Sequence, residues 1–282
     1  MWPTLVYLAV TIVGGVSFAW LIHDWLPFTY ERILSRSVLL FAAVGLIPLW
    51  RKLSLNAAEI GLAPINRQIV IPGYLLGLLL LGPLILFFTV TGFRVSNTAI
   101  DFAAWDWWRF LIIAFVSAWL VGVFEETLFR GVFFGRLRQS RSFGVAAVVS
   151  SLVYASVHFV RAPDDVVHES VNFVTGFVMV SQAFSGLTVL SDIWDSFLAL
   201  FLLGILFCVI RQRFGLWACI ALHSAWVFGI RTFKELTVRD VVNPFAGWVG
   251  SYDHFVGNLV TAWLLFIFVV LALRQQYQTQ LR

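Results

Sequence analysis

Two adjacent carboxylates and an arginine, Glu125, Glu126 and Arg130, stand in the run F-E-E-T-L-F-R-G at 124–131, directly after fifteen residues (110–124) that carry no charge. On a helix continuing through Phe134, Glu126 and Arg130 are i,i+4 neighbours and a natural ion pair, while Glu125 lies about 100° round the axis. One acid is then structural and the other is available for chemistry. Ionisable groups buried in a membrane helix are costly and mark function by default. Two histidines extend the set. His158 ends the apolar run 145–158, and His223 sits inside the apolar run 216–227. One histidine in an apolar helix is ordinarily a satisfied core residue; two, together with Glu125, form a constellation.

A glutamate in a partly dry cavity suits general-base activation of water, and an imidazole suits proton transfer. A divalent metal such as zinc is the second reading. Two histidines and a glutamate (His158, His223, Glu125) are a known catalytic zinc set with one position open for water. No HExxH or ExxH spacing occurs, so such a site would need donors from three separate helices. Both readings end in activated water beside a hydrophobic substrate, which is hydrolysis.

The elements that must position these groups are membrane helices. With 60% hydrophobic and 12% charged residues in 282, the chain has the composition of an all-α polytopic membrane protein rather than a soluble domain. About eight spans of roughly 20 residues fit, in one bundle with a central intramembrane cavity. Residues 1–100 supply helices 1–3 and an interfacial segment; 101–282 supply the core that carries the motifs and the last helix. The expected spans are 3–22, 33–50, 69–93, 110–137, 143–160, 196–210, 214–230 and 255–273. The first is read as a retained helix rather than a signal peptide, since no basic n-region or small-residue cleavage site is seen. The segment 53–68, with Gly61, Pro64 and Asn66, reads as interfacial, as do Trp105, Trp107 and Trp108. The apolar stretch 173–190 holds too many small polar residues for a lipid-facing span and reads as re-entrant or interfacial. Asp164, Asp165 and Glu169 precede it. His23, His168 and His254 read as solvated or interfacial loop residues, and Cys208 and Cys219 as small buried hydrophobes without ligand spacing.

Eight spans put most of the 19 basic residues on the side of both termini, where Glu59 is the only acid besides the motif glutamates. The positive-inside tendency makes that side cytoplasmic. The net charge of +4 is accounted for by this asymmetry, and no nucleic-acid partner is implied. Helix rise brings the three groups to similar depth: about 18 Å from Glu125 to the loop near Leu137, about 22 Å from Phe143 to His158, and about 13 Å into the seventh span for His223.

These residues carry a family resemblance. E-E-T-L-F-R-G at 125–131 resembles the EExxxR motif of the CPBP family, the Abi-like intramembrane endopeptidases that include type II CAAX prenyl proteases and bacteriocin-processing or immunity proteins. Y-A-S-V-H at 154–158 is similar to its FxxxH motif with tyrosine for phenylalanine, and H-S-A-W-V at 223–227 to its HxxxN or HxxxB motif. The order matches, over roughly 107–229. The resemblance implies that Glu125 activates water with help from His158 and that Glu126 with Arg130 shapes the site. It implies that His223 binds a metal or stabilises the oxyanion, both a metal and a metal-free glutamate mechanism having been argued for the family. Val227 departs from the pattern, standing where some members have an asparagine; Ser224 and Asn172 are the candidates to replace it. The implied partners are membrane lipid and a hydrophobic or lipid-modified peptide or protein, and the implied location is a bacterial cytoplasmic membrane. Two other functions fit the same residues: a non-catalytic immunity or partner-binding protein, and a proton-linked carrier. The carrier lacks the expected sequence repeat and paired broken helices.

Overall fold

The computed structural model describes residues 2–53, 56–160, 171–184, 190–250 and 253–280. Asp164, Asp165, His168, Glu169 and residues 185–189 lie outside the described residues. The chain is helical almost throughout, because in hydrocarbon every backbone N–H and C=O must find its partner within the segment. In order come α1 (Trp2–Ile22), α2 (Tyr30–Lys52), α3 (Arg67–Val90), β1 (Arg94–Ser96), α4 (Trp105–Glu126), a π-helical segment (Thr127–Phe133) and α5 (Phe134–Arg138). These are followed by α6 (Phe143–Val157), α7 (Phe173–Ala183), α8 (Leu190–Phe214), α9 (Leu216–Leu236), β2 (Thr237–Arg239) and α10 (Asn258–Gln280).

Among the described residues, seven helices are long and apolar enough to cross a membrane, the one over Trp105–Arg138 running through α4, the π segment and α5. The span expected over 143–160 is the shorter α6, of 15 residues, which rises only about 22 Å. The element expected within 173–190 forms the 11-residue α7, about 16 Å long and too short to cross. Asn172 caps it, accepting hydrogen bonds from the Val174 and Thr175 amides.

Two compact units result, residues 1–56 with 156–191 and residues 57–155 with 192–282. In the first, α1 packs on α2 and α7 around Val16, Ala19, Tyr30, Ile33, Leu34 and Met179. His23, expected in a solvated or interfacial loop, is buried, its Nδ1 against the Trp20 carbonyl and its Nε2 3.3 Å from Asp24. A short 3₁₀ turn over His23–Trp25 folds it back onto the end of α1.

In the second unit α9 is the central helix, packed by both α3 and α4. Its first eleven residues are almost wholly buried. The segment after α2, expected at the interface, instead reaches this core: Ile60 is buried, Arg211 donates to the Ile60 carbonyl and Trp217 to that of Leu62. A two-stranded antiparallel ribbon, β1 with β2, closes the far ends of α3 and α9. There Arg94 donates to the carbonyls of Lys234 and Thr237, satisfying acceptors that the end of α9 leaves open. Cys208 and Cys219 are free and buried, as small apolar residues would be.

Candidate functional site

The site rests on the crossing of α4 and α9. Gly122 makes that crossing close: a Cβ there would lie 2.3 Å from Ser224 Oγ and 3.1 Å from the Ile220 carbonyl oxygen. One turn further along α4 come Glu125 and Glu126, and they arrive beside His223. Glu126 Oε1 lies 2.8 Å from His223 Nδ1 and 3.2 Å from Arg130 Nη1. Glu126 and Arg130 are fully buried and His223 is 6% exposed. Glu126 Oε1 thus serves two donors, while Oε2 has no hydrogen-bond partner among the described residues. With Glu126 ionised, Nδ1 carries the proton of that bond. The other ring nitrogen, Nε2, lies 3.9 Å from Glu125 Oε2, and the Glu125 side chain remains 23% exposed.

The ion pair expected between Glu126 and Arg130 is therefore present, and the other acid is the more accessible one. What sequence reading missed is that Glu126 also holds His223. No signal in the sequence links residues 97 positions apart.

Arg130 is held by aromatic faces as well as by charge. Its guanidinium carbon lies 4.1 Å from the centre of the Tyr154 ring on α6 and 5.0 Å from that of Phe207 on α8. Nη2 also reaches the Gly204 carbonyl at 3.5 Å. Phe207 stacks on His223 as well, with ring centres 5.3 Å apart and planes 23° apart. A desolvated guanidinium between aromatic faces gains cation–π attraction that water would otherwise weaken.

The backbone here is not the plain α-helix that the sequence suggests. Thr127–Phe133 is π-helical, and the Phe134 amide donates to the carbonyl of Phe129, five residues back. Ser150 Oγ from α6 donates to the same carbonyl at 3.3 Å. Single π turns inside α-helices occur mostly at functional sites, since the wider turn re-aims the side chains that follow. Gly131 lies within this turn, where a Cβ would come within 3.1 Å of the Ile60 carbonyl oxygen.

His158 stands in the turn immediately after α6, half-buried, and belongs to the first unit. Asn172 also belongs to the first unit, and its side-chain oxygen is occupied by the α7 cap. Ser224 is fully buried, its Oγ directed at Gly122 and without a hydrogen-bond partner among the described residues. Val227 lies one turn along α9 from His223 and is half-buried.

Zinc in a catalytic site takes three protein donors. Among the described residues no group of three or more His, Cys, Asp and Glu side chains is arranged to hold a metal ion. His223 Nδ1 is moreover engaged by Glu126.

Residues 106–229 match the family described as type II CAAX prenyl endopeptidase, Rce1-like. Over that segment the chain is similar to the CAAX protease family. The segment runs from the start of α4 into α9 and contains Glu125, Glu126, Arg130, His158 and His223. No curated protein and no solved structure matches the chain. That match and the seven spanning-length helices make the chain an integral membrane protein.

Proposed function

We propose that the chain is an intramembrane endopeptidase that hydrolyses a peptide bond of a membrane-associated or lipid-anchored peptide or protein. The observation that carries this reading is the relay Arg130–Glu126–His223, which ends with Nε2 facing the more exposed Glu125. A separation of 3.9 Å exceeds a direct hydrogen bond. It suits one water bonded to both groups at about 2.8 Å each, with roughly a right angle at the water oxygen.

In the proposed reaction, protonated His223 donates from Nε2 to that water, and Glu125 accepts a water proton as the hydroxide attacks the scissile carbonyl carbon. The two carboxylates, the guanidinium and the imidazolium then carry no net charge, which lowers the cost of assembling them away from solvent. His223 Nε2–H stabilises the oxyanion, and Glu125 returns its proton to the leaving amine. Glu126 and Arg130 keep the imidazole in place and do not touch the substrate. The chain would reside in a bacterial cytoplasmic membrane with both termini in the cytoplasm.

Glu125→Gln in a reconstituted cleavage assay is expected to abolish turnover while the protein stays folded. Turnover equal to that of the parent would overturn the reading. Val227 favours a second one, a non-catalytic immunity or partner-binding protein, because valine cannot donate a hydrogen bond where an asparagine would. Protection of a host that persists in Glu125→Gln and His158→Ala variants would decide for it.

A further inference from the structure

The first unit contains a feature that the peptidase reading does not use. A cavity of about 160 Å³ opens between α1 and the start of α2, and its walls are Phe18 and Ile22 of α1, Leu26 and Phe28 of the connecting turn, and Ile33 and Leu40 of α2. Arg32 and Arg36 line it as well, together with the buried Ser37. The two arginines are i,i+4 neighbours and therefore share one face of α2. Both are exposed, and both lie over the Phe28 ring, at 5.8 and 5.7 Å from its centre. Among the described residues neither forms a salt bridge or a hydrogen bond. Asp24 is engaged by His23.

Depth places these groups near the headgroups. Arg36 is about 9 Å of helix rise inside a spanning helix, and Leu40 is about 15 Å inside. The exposed Trp20 and Trp25 place the α1–α2 turn at the membrane–water boundary. A guanidinium this near a helix end reaches to the headgroup level, where lipid phosphates lie. Here two exposed cations sit above an apolar groove lined by α1 and α2.

We infer that this groove is a binding site for an anionic phospholipid, with the phosphate held by Arg32 and Arg36 and an acyl chain lying along Phe18, Ile33 and Leu40. Guanidinium groups match phosphate through paired N–H donors, and basic clusters between membrane helices are known lipid-headgroup sites. The apolar walls favour a tethered phosphate over a free one. The site is independent of the hydrolytic centre, which belongs to the second unit.

The test is native mass spectrometry and thermal unfolding of the full chain in a neutral detergent, with phosphatidylglycerol, phosphatidylcholine or inorganic phosphate added. Phosphatidylglycerol is expected to be retained and to raise the midpoint, with a preference of about thirtyfold over phosphatidylcholine for two cations near the surface. Inorganic phosphate is expected to do neither. Arg32→Gln/Arg36→Gln should bring the two lipids level, and the double lysine variant should keep most of the preference. Equal retention of both lipids by the parent protein, a reading that needs no variant to fold, would reduce the groove to ordinary annular contact and overturn the inference. A midpoint shift by inorganic phosphate equal to that by phosphatidylglycerol would overturn it in favour of a free-anion site.

Discussion

His223 Nδ1 lies 2.8 Å from Glu126 Oε1, and that same oxygen lies 3.2 Å from Arg130. One carboxylate oxygen thus joins a cation from its own helix to an imidazole on α9. Glu126 thereby fixes which ring nitrogen faces Glu125.

Removing either member of the buried Glu126–Arg130 pair leaves an uncompensated charge at a fully buried position. Glu126→Leu or Arg130→Met is expected to cost about 3–5 kcal/mol, while the double variant should recover much of the loss. Thermal or denaturant unfolding in detergent measures it. Single variants that unfold like the parent protein would show that the pair is not desolvated.

Glu126→Gln is nearly isosteric and separates orientation from stability. With the carboxylate gone the imidazolium loses its charged partner and its fixed orientation, so turnover should fall by about 10²-fold or more. A fall confined to KM, with kcat intact, would mean that Glu126 serves binding alone.

Gly122 permits the α4–α9 approach, with Ser224 Oγ only 2.3 Å from where a Cβ would be. Gly122→Ala is expected to destabilise by about 1–3 kcal/mol through overpacking. Adding Ser224→Ala removes the nearest clashing atom and should restore part of it. The Ile220 carbonyl contact at 3.1 Å remains, so the recovery is incomplete. Circular dichroism melts of the three variants give the comparison.

Phe207 contacts both Arg130 and His223 through its ring. Phe207→Leu keeps an apolar residue but loses the aromatic face, at an expected cost of about 2 kcal/mol for a desolvated cation–π contact. Turnover should drop with it, since the imidazole loses its stacking support. A variant as stable and as active as the parent would show that the ring is only filler.

The seven spanning-length helices, the Glu126–Arg130 pair and the buried free cysteines were all legible from the order of residues, because each depends on local hydropathy or on helix periodicity. The length of α6 was not, since hydropathy continues through His158 while the helix ends at Val157. Nor was the π turn at Thr127–Phe133, which contains good α-helix formers and is held in part by Ser150 from another helix. The inward turn of Ile60 and the burial of His23 likewise depend on partners distant in space or on a tight local turn.

By itself, then, the chain's order of residues determined that this is a helical membrane protein with a peptidase-like set of acids and histidines, since burial in lipid and 3.6-residue spacing act over a few turns. Only the tertiary structure decided that Glu126, not Glu125, grips His223. That choice follows from the depth at which α4 and α9 cross, and the crossing depends on the absence of a single side chain at Gly122.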